Sequence, residues 1–179
     1  MDNALHILFV WMHILGIALF VGPQFFLAFA WVPASRGIAD MPTRIQAMRT
    51  ITRRFAYIGG AGLVLIVTAG LYLIFTWRDF YNQPGPEELS FTDIRYGVIF
   101  IIKMIVFAVV LLLVGLHTFW FGPRQMDLME ARARGDDISD ADVRSIRIRS
   151  MFLSISGLLL VLAMIAMGAM LSTQSFSFQ

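Results

Sequence analysis

The chain has no cysteine. Disulfides, thiolate metal sites, iron–sulfur clusters and thiol-attached haem are excluded together, so any metal must take histidine, methionine, carboxylate or backbone ligands. Charge is scarce: 15% of the 179 residues are Asp, Glu, Lys or Arg, and Lys103 is the one lysine in the sequence. With 58% hydrophobic residues and a mean hydropathy of +0.74, the expected solvent is a lipid bilayer. The basic residues lack the aromatic interleaving that grips nucleic acid, and no nucleic-acid partner is expected. No serine or carboxylate stands beside a histidine in a nucleophile arrangement, which removes the common hydrolase chemistries. There is no repeat at solenoid period, and the polar tail STQSFSFQ is the one low-complexity tract.

What the chain does have is apolar length. Four runs, about residues 4–32, 55–77, 97–121 and 151–172, each suffice to cross ~30 Å of hydrocarbon at ~1.5 Å per residue. The expected fold is all-α: an integral membrane four-helix bundle in a single domain, residues 1–179. The first run opens MDNAL, with an acid where a secretory leader has basic residues, and it exceeds the length of a cleavable apolar region; it reads as a retained helix.

Arginine placement sets an expected orientation. Residues 33–54 carry Arg36, Arg44, Arg49, Arg53 and Arg54 against Asp40 alone, and residues 122–150 carry Arg124, Arg132, Arg134, Arg144, Arg147 and Arg149. The intervening loop, 78–96, holds Arg78 and Arg95 beside Asp79, Glu87, Glu88 and Asp93, with the turn-forming NQPGPEEL. Because basic residues are retained on the cytoplasmic side, loops 33–54 and 122–150 are expected inside, loop 78–96 and both termini outside, in a bacterial-type inner membrane. Within 122–150, RQMDLMEARAR reads as a helical extension stopped by Gly135, with Ser139 or Asp140 capping the next helix. Six acids there balance six arginines, the pattern of a solvated helical hairpin.

Ionisable groups inside a membrane are costly, so a functional reading starts with His6, His13, Lys103 and His117. His6 and His13 return to within about 20° of one face of helix one, and Gln24 joins them after a whole number of turns. Lys103 and His117 share a face of helix three within about 40°. Tyr57, Thr68 and Tyr72 group on helix two within about 60°. On helix four Gly157, Met164 and Gly168 share one side, where small residues permit close packing. Polar faces of this kind are expected to line the bundle interior.

Counted from the outer helix ends, His13 and Lys103 lie ~13 and ~12 Å deep, His6 ~3 Å and His117 ~33 Å. Met164, Met167 and Met170 lie ~12, ~8 and ~3 Å from the outer end of helix four, so Met164 shares the His13 and Lys103 layer and Met170 the His6 layer. Axial ligands of one haem iron stand about 4 Å apart. The ~20 Å between His13 and His117 along the membrane normal argues against one haem joining them, and His6 and His13 lie stacked on one face instead of clamping a ring. Each group has a plain structural alternative: hydration at the interface for His6 and His117, snorkelling for Lys103, packing for the methionines. His13, deep and on a polar stripe, is the principal candidate.

HILGIALFVGP in helix one, RRFAYIGGAGLVLIVTAG leading through helix two and IIKMIVFAVVLLLVGLHTFWFGPR in helix three resemble a family of small four-helix membrane proteins. It includes the HemJ-type protoporphyrinogen oxidases and the membrane domain of CopD-like copper-resistance proteins. On that resemblance His13 matches the helix-one histidine, Lys103 the helix-three lysine and His117 the histidine ending helix three. The resemblance implies that His13 and Lys103 are essential and that a b-type haem is bound. A tryptophan that often follows the first histidine by seven positions is Phe20 here, and a second histidine near the end of helix one is missing.

Three functions remain open on the sequence. In the first, His13 is the metal ligand of a haem b, His6, His117 and Met164 are further cofactor contacts, and Lys103 is the catalytic or tuning group; the electron partner is a quinone, a tetrapyrrole or another complex. In the second, His6, His13 and the helix-four methionines handle copper at the outer face. In the third, the chain is an accessory subunit packed against other membrane subunits of a respiratory or photosynthetic complex.

Overall fold

The computed structural model describes residues 3–77, 91–173 and 176. Four long helices carry the chain: α1 (Asn3–Ser35), α2 (Met41–Phe75), α3 (Arg95–Ala133) and α4 (Asp140–Ser172), each long and apolar enough to cross a membrane. No strand occurs among the described residues. Large apolar side chains point outward along all four helices, with Phe75 at 83% and Phe119 at 84% exposure. Such faces suit a solvent of acyl chains, where a helix that satisfies its own backbone is one of two structures able to span.

The chain divides into two compact units, Met1–Gln83 and Pro84–Gln179, each built on one helical hairpin. In the first, α1 crosses α2 where Gly16 meets Gly62. A β-carbon on Gly16 would lie 2.8 Å from the Gly62 carbonyl oxygen, and one on Gly62 would lie 2.7 Å from the Gly16 carbonyl oxygen. The two backbones are therefore in contact, as small residues allow. Above and below this crossing the seam is aromatic: Phe9 stacks on Tyr72 with ring centres 3.9 Å apart, and Phe26 meets Phe55 edge-on at 5.5 Å. In the second hairpin α3 and α4 meet along a heptad seam that includes Tyr96, Lys103, Val110 and His117, and Val110 is fully buried.

The helices outrun the apolar segments. Helix two is expected from about residue 55 but α2 begins at Met41, because Asp40 accepts hydrogen bonds from the Thr43 amide and hydroxyl and Pro42 sits in the first turn. Those bonds hold the Asp40 carboxyl below the usual aspartate range, so the cap stays charged and is lost only as pH falls through that lowered value. Residues 122–150 are likewise the continuations of α3 and α4. Gly135 ends the first with φ of 91°, and the Ser139 hydroxyl accepts from the Ala141 amide to cap the second. NQPGPEEL, Arg78, Asp79, Tyr81, Glu87 and Glu88 lie outside the described residues, as does most of the polar tail.

Both α1 and α3 change pitch at the same kind of place. Residues Phe26–Trp31 and His117–Phe121 are π-helical, and each stretch ends just before a proline, Pro33 or Pro123. A proline ring clashes with the carbonyl four residues back. One extra residue in the preceding turn moves that carbonyl aside, and the freed groups re-pair five apart: Val32 N–H donates to Leu27 O and Gly122 N–H to His117 O. Gly122 fits because a β-carbon there would stand 2.9 Å from the His117 oxygen.

The two hairpins thus repeat one plan. A shift of ninety positions maps His6, His13, Phe20, Leu27 and Pro33 onto Tyr96, Lys103, Val110, His117 and Pro123. A shift of ninety-eight maps Arg36 and Gly37 onto Arg134 and Gly135, and Gly59 and Gly70 onto Gly157 and Gly168. The difference is the helix after the π turn, 12 residues in α3 against 4 in α1. Few identities survive, which is why a scan for periodicity passes over it.

Gly16→Leu and Gly62→Leu are each expected to lower the midpoint of thermal unfolding in detergent, by overpacking worth about 1–3 kcal/mol. Gly60→Leu, where an added β-carbon meets nothing within 4 Å, serves as the control and should leave the midpoint unchanged or raised.

Candidate functional site

His13 lies in the α1–α2 seam, half-buried, with Nδ1 3.2 Å from the Ile66 carbonyl oxygen. Helical side chains lean toward the N-terminus and cover the preceding turn, so the residue four after Ile66 would normally shield that carbonyl. That residue is Gly70. A β-carbon on it would stand 3.5 Å from His13 Cε1, and its hydrogen leaves the imidazole room to reach the backbone. Because a carbonyl only accepts, Nδ1 is the donor in this contact; in the neutral form of such a ring the lone pair stands at Nε2. This is the arrangement metal-bound histidines adopt, one nitrogen donating to a carbonyl and the other coordinating.

Lys103 occupies the corresponding position of the second hairpin. Its Nζ is 3.6 Å from where a β-carbon on Gly168 would lie, and Gly168 corresponds to Gly70. Each hairpin therefore seats a basic side chain against a glycine of its second helix. Lys103 makes no hydrogen bond or ion pair among the described residues.

His117 stands further along the same seam with two hydroxyls, Ser154 Oγ at 3.4 Å and Ser150 Oγ at 3.5 Å from Nδ1. Ser154 donates its single proton to the Ser150 carbonyl at 3.0 Å, which leaves the Ser150 hydroxyl as the one that can donate to Nδ1, or either hydroxyl as acceptor if Nδ1 bears the proton. The counterpart of His117 in the first hairpin is Leu27, which has the same π turn after it. The π turn thus belongs to the proline, and the polar cluster is an addition that the hairpin plan does not require. Ser150, buried at 4% exposure, went unrecognised in the sequence; serine in an apolar helix is common, and its spacing to His117 exists only in the folded hairpin.

Other expected polar positions separate. Gln24 donates to its own helix at Phe20 O, 3.1 Å, and is half-buried, as His6 and His13 are. Tyr57, at 68% exposure, and Thr68 point away from α1. Tyr57 precedes Gly62 by five residues, roughly 140° around the helix, so the 60° grouping expected on α2 falls off the packed seam. Tyr72 alone of the three packs inward, its hydroxyl buried without a hydrogen-bond partner among the described residues. His6 is half-buried on α1. On α4 the Gly157, Met164 and Gly168 side is the packed one: Gly157 is buried, Met164 and Gly168 are half-buried, and Met170 is 41% exposed. No group of three histidines or carboxylates able to hold a metal occurs among the described residues. A groove on α3 lined by Leu112, Leu116, Phe119 and Trp120 is apolar and holds none of the candidate groups.

Four apolar helices of spanning length, paired in hairpins whose seams carry basic side chains, define a multi-pass membrane protein. The chain matches no family model, no curated protein and no solved structure.

The His13 tautomer is directly measurable. Two-bond 15N–1H correlations on selectively labelled protein should show His13 protonated at Nδ1, and Ile66 and Gly70 fix the reason: Gly70→Leu covers the carbonyl and should shift the population toward the Nε2–H form. An Nε2–H ring in the wild-type protein is incompatible with the bond to Ile66.

Proposed function

We propose that this membrane protein binds haem b through Nε2 of His13 and serves in membrane redox chemistry or electron transfer. The observation that carries the reading is the His13 Nδ1 bond to the Ile66 carbonyl in the space left by Gly70. It supplies a fixed ring orientation and a more basic ligating nitrogen, which is what the protein contributes to a haem site. Bound haem would supply one-electron chemistry. His13 would hold the iron, with the Ile66 carbonyl orienting it, and Lys103 would offer an ammonium to an anionic group of the cofactor or substrate. His117, beside the Ser150 and Ser154 hydroxyls, would be a further ligand or cofactor contact, with Met164 and His6 as lesser ones. A quinone or a tetrapyrrole suits this chemistry as electron partner. The family resemblance through His13, Lys103 and His117 points the same way.

The chain is further read as a bacterial-type inner-membrane protein with both termini outside, supported by the arginines of residues 33–54 and 122–150. The absence of cysteine makes this simple to test. A single cysteine replacing Asn82 should react with a membrane-impermeant maleimide on intact cells, and one replacing Ala39 or Asp137 only after lysis; the reverse pattern inverts the topology.

The haem reading is tested by the visible spectrum of the detergent-purified protein from haem-replete cells. A Soret band and a reducible α band are expected, both lost in His13→Ala with the helical circular dichroism retained. A colourless wild-type protein, or unchanged bands in His13→Ala, overturns it.

A further inference from the structure

The two hairpins share a plan but differ in the charge of their connecting segments. Residues 36–54 hold five arginines against Asp40, a net charge of +4, whereas residues 124–149 hold six arginines against six carboxylates. The fold widens this difference. Asp40 is engaged as the cap of α2 through Thr43, and Arg36, Arg44, Arg53 and Arg54 make no ion pair among the described residues. In the second hairpin Arg132 pairs with Asp140 at 2.6 Å and Arg134 with Asp136 at 3.4 Å.

Position identifies what the unbalanced charge can meet. Arg53 and Arg54 directly precede Phe55, where the apolar run of α2 begins, and Arg44 lies ~14 Å before Arg53 along the helix. The headgroup layer on one side is ~5–8 Å thick, so Arg53 and Arg54 fall within it, and Arg44 stands just beyond it, within about a Debye length of the lipid surface. Trp31 Nε1 donates to Met48 Sδ at 3.2 Å, which holds the end of α1, and Arg36 just beyond it, against this part of α2. Arg36, Arg53 and Arg54 are exposed and Arg44 is half-buried. Guanidinium forks match phosphate oxygens, and each basic residue at a membrane surface adds attraction to anionic lipid.

We propose that residues 36–54 form a docking surface for anionic phospholipid headgroups, selective over zwitterionic ones and not shared by the corresponding segment of the second hairpin. An acidic protein or a nucleic acid is a poorer fit, because the charge begins at the hydrocarbon boundary and no aromatic side chains interleave it.

The test uses the full chain in nanodiscs of phosphatidylcholine mixed with phosphatidylglycerol, with co-retained lipids counted by native mass spectrometry. Wild-type protein should be enriched in phosphatidylglycerol, and the enrichment should fall with added salt. R36Q/R44Q/R53Q/R54Q should lose it by about fivefold or more, the factor expected for even one arginine at the surface. R124Q/R144Q/R147Q/R149Q should retain it. Should the first variant fail to fold by circular dichroism, R36K/R44K/R53K/R54K and the salt titration of the wild type replace it; retained charge should keep the enrichment and salt should remove it. Equal enrichment in the wild type and the first variant, equal loss in both glutamine variants, or a salt-independent wild type overturns the proposal.

Discussion

In hydrocarbon a backbone carbonyl has no water to turn to, and the structure depends on where each one is satisfied. Pro33 and Pro123 remove an N–H each and displace a carbonyl, and both helices answer with a π turn that re-pairs the backbone five residues apart. At Ile66 the opposite happens. Gly70 leaves a carbonyl uncovered, and the second lone pair takes a side chain from the neighbouring helix, His13. The same rule therefore explains a change of helical pitch and the orientation of the principal candidate ligand.

The repeated hairpin separates what the fold needs from what it carries. Proline, the Arg-Gly pair and the two seam glycines recur in both copies and serve the backbone. The side chains set into that frame diverge: His13 against Lys103, Leu27 against His117, His6 against Tyr96. Since the proline, the Arg-Gly pair and the two glycines recur while these side chains do not, the basic and polar members are not required by the shared frame. Each also opposes burial in an apolar medium, which makes chemistry the better account of their presence. The excess of arginine is confined in the same way to the connecting segment of the first copy, while the second copy neutralises its own.

The chain's apolar length was enough to identify four helices, because hydrocarbon thickness is a fixed ruler and self-satisfied backbone is required. Helix ends were less legible where they left the hydrocarbon. The start of α2 at Met41 follows from the Asp40 cap, and a cap is a local polar contact that hydropathy does not register. Gly135 and Ser139, by contrast, are residue types whose stereochemistry announces a helix stop and a helix start.

Of the candidate site, the identity of the basic groups was legible and their partners were not. A histidine at depth is unusual on any reading, so His13, Lys103 and His117 stand out from the sequence alone. Periodicity placed Lys103 and His117 on one face of α3 and Gly157, Met164 and Gly168 on one side of α4, since those spacings are properties of a single helix. It grouped Tyr57 and Thr68 with Tyr72 although both stand off the α1–α2 seam, because a rotation of 100° per residue tells which residues share a face but not which face a neighbour covers. The Ile66 carbonyl, the glycine opposite each basic group and the two serines beside His117 belong to the second helix of each hairpin. Only the antiparallel register brings them into reach, and backbone atoms and glycines carry no sequence mark of the contact they will make.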